Sequence, residues 1–203
     1  MMDQICLGTP VALSRSKRIK QATITLHDRL DQTIMQHQPF ADVARYRLFL
    51  QMQHHFHVLL QPVYEGIATD PRLSPFRCTY RLGLIEQDLA DLRYYPNHHA
   101  ALPSKPLTLA DLPGALGWLY VAEGSNLGAA FLLKDAARIG LSPAFGARHL
   151  AAPSEGRGAY WRNFTAAFDA IYLPVEAENL VIHGATEAFA SVRDLVEVYF
   201  GRN

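Results

Sequence analysis

Residues Tyr120 to Lys134 read YVAEGSNLGAAFLLK, and this stretch decides the fold. Its apolar residues recur at helical spacing, yet Gly124 and Gly128 lie inside it, one helical turn apart. Each glycine costs about 1 kcal/mol relative to alanine in a helix interior. Both positions therefore require bare backbone, either for a close helix–helix contact or for a ligand.

Composition indicates one globular domain and excludes several classes of partner. The chain has 203 residues, 49% of them hydrophobic, and a formal net charge of +0, which gives no broad electrostatic attraction to nucleic acid or an anionic membrane. Cys6 and Cys78 lack the spacing of a zinc site and do not make a disulfide framework. We expect no secretory signal, because Gly8 and Pro10 break the N-terminal apolar patch. This sequence has no uncharged apolar run of about 18 residues. We expect a cytoplasmic protein.

Helical periodicity dominates the rest of the chain, and no stretch alternates with the period of a strand. We expect an all-α domain of seven or eight helices at residues 16–203, after a poorly ordered tail at residues 1–15. Pro62 is expected to kink the second helix or begin its last turn. The helix that starts near Pro113 is expected to break near its glycines.

Most of the nine histidines have an ordinary explanation. The HHFH run at His54, His55 and His57 lacks the HExxH pattern and a carboxylate at useful spacing, which disfavours a metal site. Three others lie near expected helix ends, where a cation suits the helix dipole: His37, His149 and His183. No GxSxG, P-loop or GxGxxG motif is present.

His27 is the exception, because polar residues share its helix face. Lys20, Thr23, His27 and Asp31 follow one another at spacings of three or four residues. Lys20 lies roughly 10 Å along the helix from His27 at 1.5 Å per residue. That distance suits a flat cofactor with a metal at one point and an acid group at its edge. The alternative is an ordinary core histidine bonded to a backbone carbonyl.

Four segments together resemble the haem oxygenases, specifically their bacterial branch: LHDRLD, PFADVARYRLFLQ, LGWLYVAEGSNLGAAFLLK and FGARHLA. The resemblance covers residues 16–200. It implies one helical domain that holds haem between a proximal helix and a distal helix kinked at its glycines. Haem is then both substrate and cofactor, and O2 and electrons convert it to biliverdin, carbon monoxide and ferrous iron.

The resemblance also assigns roles to residues. His27 matches the proximal iron ligand, with a hydrogen bond to its other ring nitrogen setting its tautomer. Gly124 and Gly128 match the distal positions where a side chain would fill the space that oxygen needs. Three residues match positions near the haem propionates: Lys20, Tyr120 and Arg162.

A distal water network is implied as well. Its polar residues are expected to be Gln53, His57, Arg81 and Asp31, since water needs two to four polar partners to stay ordered. Ser125 stands where mammalian members have an aspartate, which leaves more of the water ordering to the backbone and to the group of Gln53 and Arg81.

The expected product is biliverdin IXα. Some relatives with another ring-opening position carry a lysine where this chain has Asp135, and a different residue in place of Lys20. The combination of Lys20 with Tyr120 resembles members that open the α-meso carbon.

Partners and alternatives complete the prediction. No flavin or nicotinamide motif appears, so electrons are expected from a ferredoxin or an NAD(P)H-dependent reductase. A biliverdin-binding photoreceptor is one candidate recipient of the product. A haem carrier or sensor that keeps His27 without degrading haem is the main alternative. A related helical bundle that binds another small molecule is the third.

Overall fold

The computed structural model describes residues 13–95 and 107–201. Within these ranges the chain forms six α-helices and three short 3₁₀ turns. The helices are α1 (Arg15–Gln36), α2 (Val43–Thr69), α3 (Leu82–Asp91), α4 (Leu112–Arg138), α5 (Arg157–Ala170) and α6 (Val175–Phe200). The expected all-α class is confirmed, with six α-helices in the described part of the chain instead of seven or eight.

One helix is more continuous than the sequence predicts, and another continues past its proline, so the kink expected at Pro62 stays a prediction. Pro62 lies inside α2, which runs unbroken to Thr69, and α4 is interrupted at neither Gly124 nor Gly128. Tertiary packing overrides the local propensity of these residues in both helices. α4 also has a defined start, because the Asp111 carboxylate accepts a hydrogen bond from the Gly114 N–H at 3.1 Å.

The centre of the core is the crossing of α4 over α6, where the two backbones touch. A Cβ on Gly117 of α4 would overlap the Val181 carbonyl oxygen and the Ala185 nitrogen of α6. A Cβ on Gly184 of α6 would likewise overlap the carbonyl of Gly114. These glycines serve close helix–helix packing, and the sequence analysis did not single them out.

α1 is held firmly at its N-terminal end. The buried Arg15 guanidinium pairs with Glu178 of α6 at 2.7 Å and donates to the Ile171 carbonyl at 2.7 Å. The backbone N–H and the hydroxyl of Ser16 both donate to the Asp169 carboxylate of α5, at 2.7 and 2.8 Å. Beyond Thr23, no residue of α1 is fully buried. The helix is therefore fixed at one end and open along much of its length.

The described ranges hold no helix that is both long enough and apolar enough to cross a bilayer. The expected tail lies mostly outside the described residues, so its poor order stays a prediction.

Candidate functional site

α1 and α4 both pack on α6, and the space between these two helices, the cleft, is bounded near each end by residues of both. At one end the Tyr120 hydroxyl donates to the Ser16 carbonyl oxygen at 3.2 Å. At the other end Met35 of α1 lines a cavity of about 260 Å³ together with Asp135 and Arg138 of α4. The two helices therefore run alongside each other in the same direction.

His27 and Gly128 lie near the middle of this cleft, and Gly124 lies closer to the end at Tyr120. At 1.5 Å per residue, His27 lies about 16 Å along α1 from Ser16, while Gly124 and Gly128 lie about 6 and 12 Å along α4 from Tyr120. The His27 side chain is 65% exposed. The structure thus brings the predicted iron ligand and the predicted distal glycines to the same region.

The two cleft glycines are not required by protein packing. No atom lies within 4 Å of the Cβ position at Gly128, and at Gly124 only the Trp161 ring approaches, at 3.5 Å, an ordinary contact distance. The helix-packing explanation of these glycines, which the sequence left open, therefore fails, and that role belongs to Gly117. The bare backbone of α4 faces open space.

Large apolar side chains are exposed on the same helix faces. Phe131 and Leu127 are 70% and 42% exposed, and helical periodicity places both on the face of Gly124 and Gly128. On α1, Ile24 is 51% exposed, one turn before His27. The cleft thus has apolar walls, which suit a flat apolar ligand.

The surroundings of His27 fit an axial ligand. Its Nδ1 lies 3.3 Å from the Asp28 carboxylate, which leaves Nε2 for a metal. The Phe189 ring of α6 lies edge-on at 6.3 Å between centroids. A carboxylate at the second nitrogen is the usual outer-shell partner of a metal-bound histidine.

The polar face of α1 differs in one residue from the predicted one. Lys20 and Asp31 are exposed as expected. Thr23 is buried, and its hydroxyl donates to the Ile19 carbonyl at 2.8 Å. Its grouping with His27 on one polar face was wrong, and Ile24 lies there instead.

The predicted propionate residues lie toward the anchored end of the cleft. Burial, together with the nearby Asp169 carboxylate, raises the pKa of Tyr120 to about 12. The Tyr120 ring contacts the Trp161 ring at 5.3 Å between centroids, and Arg162 follows Trp161 on the exposed surface of α5. The Tyr120 hydroxyl would have to leave the Ser16 carbonyl to donate to a carboxylate.

Ser125 is exposed on α4, and its hydroxyl donates to the Ala122 carbonyl of its own helix at 2.7 Å. Because the Ser125 hydroxyl proton is used in this bond, the Ser125 oxygen can act only as an acceptor of a hydrogen bond from water.

The predicted water-ordering residues divide into two places. Arg81 is buried and donates to the His149 carbonyl at 2.7 Å. His57 is buried, its Nδ1 has no partner within the described residues, and burial lowers its pKa to about 3. Gln53 lies one turn before His57 on α2, half-buried. Asp31, exposed on α1, bonds none of these three within the described ranges.

His149 was misread from the sequence. It is buried, and its Nδ1 bonds the fully buried Asp88 carboxylate at 2.8 Å. Burial lowers the pKa of His149, so it is no helix-end cation. Its Nε2 is a second buried nitrogen without a partner in the described part of the chain. Asp88 precedes it by 61 residues, and only the FGARHLA segment hinted at a role.

Glu123, which precedes Gly124, was missed altogether. Its carboxylate is 1% exposed and accepts hydrogen bonds from the Tyr64 hydroxyl at 2.6 Å, the Tyr160 hydroxyl at 2.8 Å and the Asn126 amide at 3.1 Å. Burial raises the pKa of Glu123. The available signal was that Glu123 is the only Asp, Glu, Lys or Arg among residues 112–133 of α4.

Comparison with known proteins agrees with this geometry. A family model described as Heme oxygenase matches residues 13–198. Heme oxygenase PigA from Pseudomonas aeruginosa is 39% identical over 187 residues, which are 92% of this chain and 93% of that protein. A heme oxygenase from Neisseria meningitidis, solved with NO and CO bound, is 39% identical, with a TM-score of 0.82 over 94% of each chain.

A more distant solved structure shares the fold. Heme oxygenase from Leptospira interrogans is 16% identical, with a TM-score of 0.76 over 90% of this chain and 98% of that one. The family predicted from the sequence is confirmed: this chain belongs to the haem oxygenases and is an enzyme of that family.

Proposed function

We propose that this haem oxygenase binds haem in the cleft between α1 and α4 and opens it at the α-meso carbon, giving biliverdin IXα, carbon monoxide and ferrous iron. One observation carries the proposal. Gly128 presents bare backbone to open space, with no protein atom within 4 Å of its Cβ position, at the level of His27 on the facing helix. When bound, haem supplies both the ring that is opened and the iron that activates O2.

His27 is the proposed iron ligand. A neutral imidazole binds iron through one nitrogen, and the Asp28 carboxylate near Nδ1 holds the proton there. The anchors of α1 at Arg15 and Ser16 fix the helix that carries it.

Charge supports the proposed orientation of the ring. Lys20 and Arg162 are exposed cations toward the end of the cleft that Tyr120 closes. At the opposite end Arg138 is already paired with Asp135 at 2.6 Å. Among the described residues, propionates therefore find two cations without an ion pair at the first end and one at the second, Lys134, whose Nζ lies 5.8 Å from the Phe131 ring centroid. This difference favours the orientation expected for α opening.

On the distal side, the proposed work of the protein is to order water and exclude side chains. Gly124 and Gly128 keep the α4 face clear, and the Ser125 oxygen is available as an acceptor. The buried His57, Arg81 and the half-buried Gln53 are proposed to hold water, with the bare His57 Nδ1 as one attachment point. Asp31 is proposed to bond water from α1.

Electrons are proposed to come from a separate ferredoxin or NAD(P)H-dependent reductase, in the cytoplasm. The support is the lack of a flavin or nicotinamide motif in the sequence. Transfer of the product to a biliverdin-binding photoreceptor is a further proposal that gene neighbourhood can test.

The decisive experiment gives the purified protein haem and a reductase under air. Loss of the Soret band with biliverdin IXα on chromatography supports the proposal. A stable oxygenated complex without product would favour a carrier or sensor, and another isomer would overturn the proposed orientation.

Matched histidine variants test the ligand. His27→Ala should abolish the spectral shift of added haem, whereas His183→Ala, on α6 with a similarly exposed side chain at 68%, should not. An unchanged spectrum in His27→Ala would remove His27 from the site.

A further inference from the structure

Glu123 connects the part of α4 that carries Gly124 and Gly128 to α2 and α5, on the side of the helix away from the cleft. Its Oε1 accepts from Tyr64 of α2, and its Oε2 accepts from Tyr160 of α5. Gly124, the first cleft glycine, is the next residue. From Gly124 onward the cleft face of α4 has little to pack against, because at Gly124 only Trp161 is near and at Gly128 nothing is.

The hydrogen bonds around Glu123 have defined directions. The Tyr160 oxygen accepts the Thr79 N–H at 3.1 Å, so its own proton goes to Glu123 Oε2. The side-chain amide of Asn126 donates to the same Oε2 atom. The backbone carbonyl of Asn126 accepts a hydrogen bond from Arg157 at 2.7 Å. Two successive turns of α4 are thus tied to neighbouring elements on the side away from the cleft.

We propose that Glu123 is a positioning residue that sets the distance of the Gly124–Gly128 backbone from α1, by tying α4 to Tyr64 and Tyr160. The inference rests on the proposed function, because it takes this backbone as the wall that covers haem. Glu123 acts through the helix that carries it and touches neither haem nor oxygen. Without its carboxylate, the two tyrosine hydroxyls lose their acceptor, and the segment that follows keeps the Arg157 bond to the Asn126 carbonyl and the buried Ala129 but loses its link to Tyr64 and Tyr160.

Amide hydrogen exchange in the haem-free protein tests this directly. In Glu123→Ala, amides of residues 124–131 should exchange at least tenfold faster, while those of residues 114–119, which pack on α6, should change less than threefold. Glu123→Gln should restore most of the protection, since its amide oxygen accepts from Tyr160 and Asn126 and its N–H donates to the Tyr64 oxygen.

A tyrosine pair provides a milder test if Glu123→Ala folds poorly. Tyr64→Phe removes one hydroxyl that donates to Glu123, and Tyr46→Phe makes the same change on the same helix, where the hydroxyl donates to the Gly146 carbonyl at 2.9 Å. Exchange at residues 124–131 should rise in the first variant and stay unchanged in the second. Equal effects of the two variants would overturn the proposal.

With haem, Glu123→Ala should keep haem affinity within threefold, because the residues proposed to bind haem directly are intact, yet lose at least tenfold in turnover of bound haem. Unchanged exchange at residues 124–131, uniform loss of protection along α4, or failure of Glu123→Gln to rescue would each overturn the positioning role. The amide exchange experiments use the haem-free protein. They therefore test the role of Glu123 even if the wild-type protein does not cleave haem.

Discussion

Two glycine-to-alanine changes on the same helix should have opposite effects on stability. At Gly128 a methyl group meets no atom within 4 Å, so the haem-free protein gains the helix propensity of alanine, about 1 kcal/mol. For a chain of this size the melting temperature should then rise by roughly 2–4 °C. At Gly117 the methyl group overlaps the backbone of α6, and overpacking costs about 1–3 kcal/mol. That cost exceeds the gain in propensity, so the melting temperature should fall.

Turnover of haem should change in the opposite way to stability in these two variants. Gly128→Ala places a methyl group where the bound ring and oxygen must lie, so turnover of haem should fall at least about tenfold, equal to about 1.4 kcal/mol in the barrier. The Gly117 position contacts Val181, Ala185 and Gly184 of α6 and lies away from the cleft. Those Gly117→Ala molecules that fold should therefore keep near-normal turnover per bound haem.

Differential scanning calorimetry of the haem-free variants and single-turnover assays of the haem complexes measure both quantities. The reasoning fails if Gly128→Ala lowers the melting temperature, because that would reveal a protein contact at this face. It fails equally if Gly128→Ala turns over haem at the wild-type rate, since the open space would then not be the haem side of α4.

Three further changes test the pH response, the ring orientation and the α1 anchor. Because burial lowers the pKa of His57 to about 3, the unfolded chain binds a proton below about pH 6.5 that the folded protein does not, and stability should fall as pH drops from there by up to about 1.4 kcal/mol per pH unit. His57→Gln should flatten that slope in chemical denaturation. Lys20→Gln combined with Asp135→Lys should move the propionates and reduce the share of the α isomer on chromatography. Arg15→Ala removes the closer of the two arginines that pair with Glu178, together with the donor to the Ile171 carbonyl, and should cost about 3 kcal/mol in urea unfolding.

Surface residues supply the controls. His183→Gln, on the exposed side of α6, should leave the pH slope unchanged. Arg18 pairs more loosely with the same Glu178, at 3.4 Å, so Arg18→Ala should cost under about 1 kcal/mol. A His57→Gln protein with the wild-type slope, an unchanged isomer ratio, or equal losses for the two arginines would contradict the respective prediction.

The sequence predicted the all-α class and most of the helices because these depend on local periodicity, whereas the site residues came from the resemblance of four segments to the haem oxygenases. It placed Thr23 wrongly because residues three apart on a helix differ by 60° in direction, which is enough to move a side chain from the cleft to the core. Ile24 and His27 differ from each other by the same angle, yet both remain exposed, so periodicity alone does not locate the edge of a face. Only the packing of α5 and α6 against α1 fixes that edge.

Long-range pairs were beyond the reach of a single sequence. Nothing near His149 indicates that Asp88 would reach its ring, so the expectation of a solvated helix-end cation followed the local context. Glu123 was overlooked for a related reason, since its partners come from α2 and α5. An ionisable residue in an apolar helix requires either solvent or partners, and that rule could have predicted a buried network without naming its members.

The four glycines of α4 at 114, 117, 124 and 128 divide the helix by function. Gly117 lies at the crossing with α6, where its lack of a side chain lets the backbones touch, whereas a Cβ on Gly114 would meet the Asp111 carboxylate that caps the helix. The last two meet open space, so the protein alone gains nothing from them and gives up about 1 kcal/mol of helix propensity at each. A helix with a weakened segment is stabilised by tertiary contacts directly before that segment. Glu123 lies at that point and accepts hydrogen bonds from Tyr64 of α2 and Tyr160 of α5. The Gly124–Gly128 backbone is therefore a surface whose position depends on Glu123. The glycines that leave room for a ligand also weaken the helix, and the hydrogen bonds of Glu123 compensate for that loss.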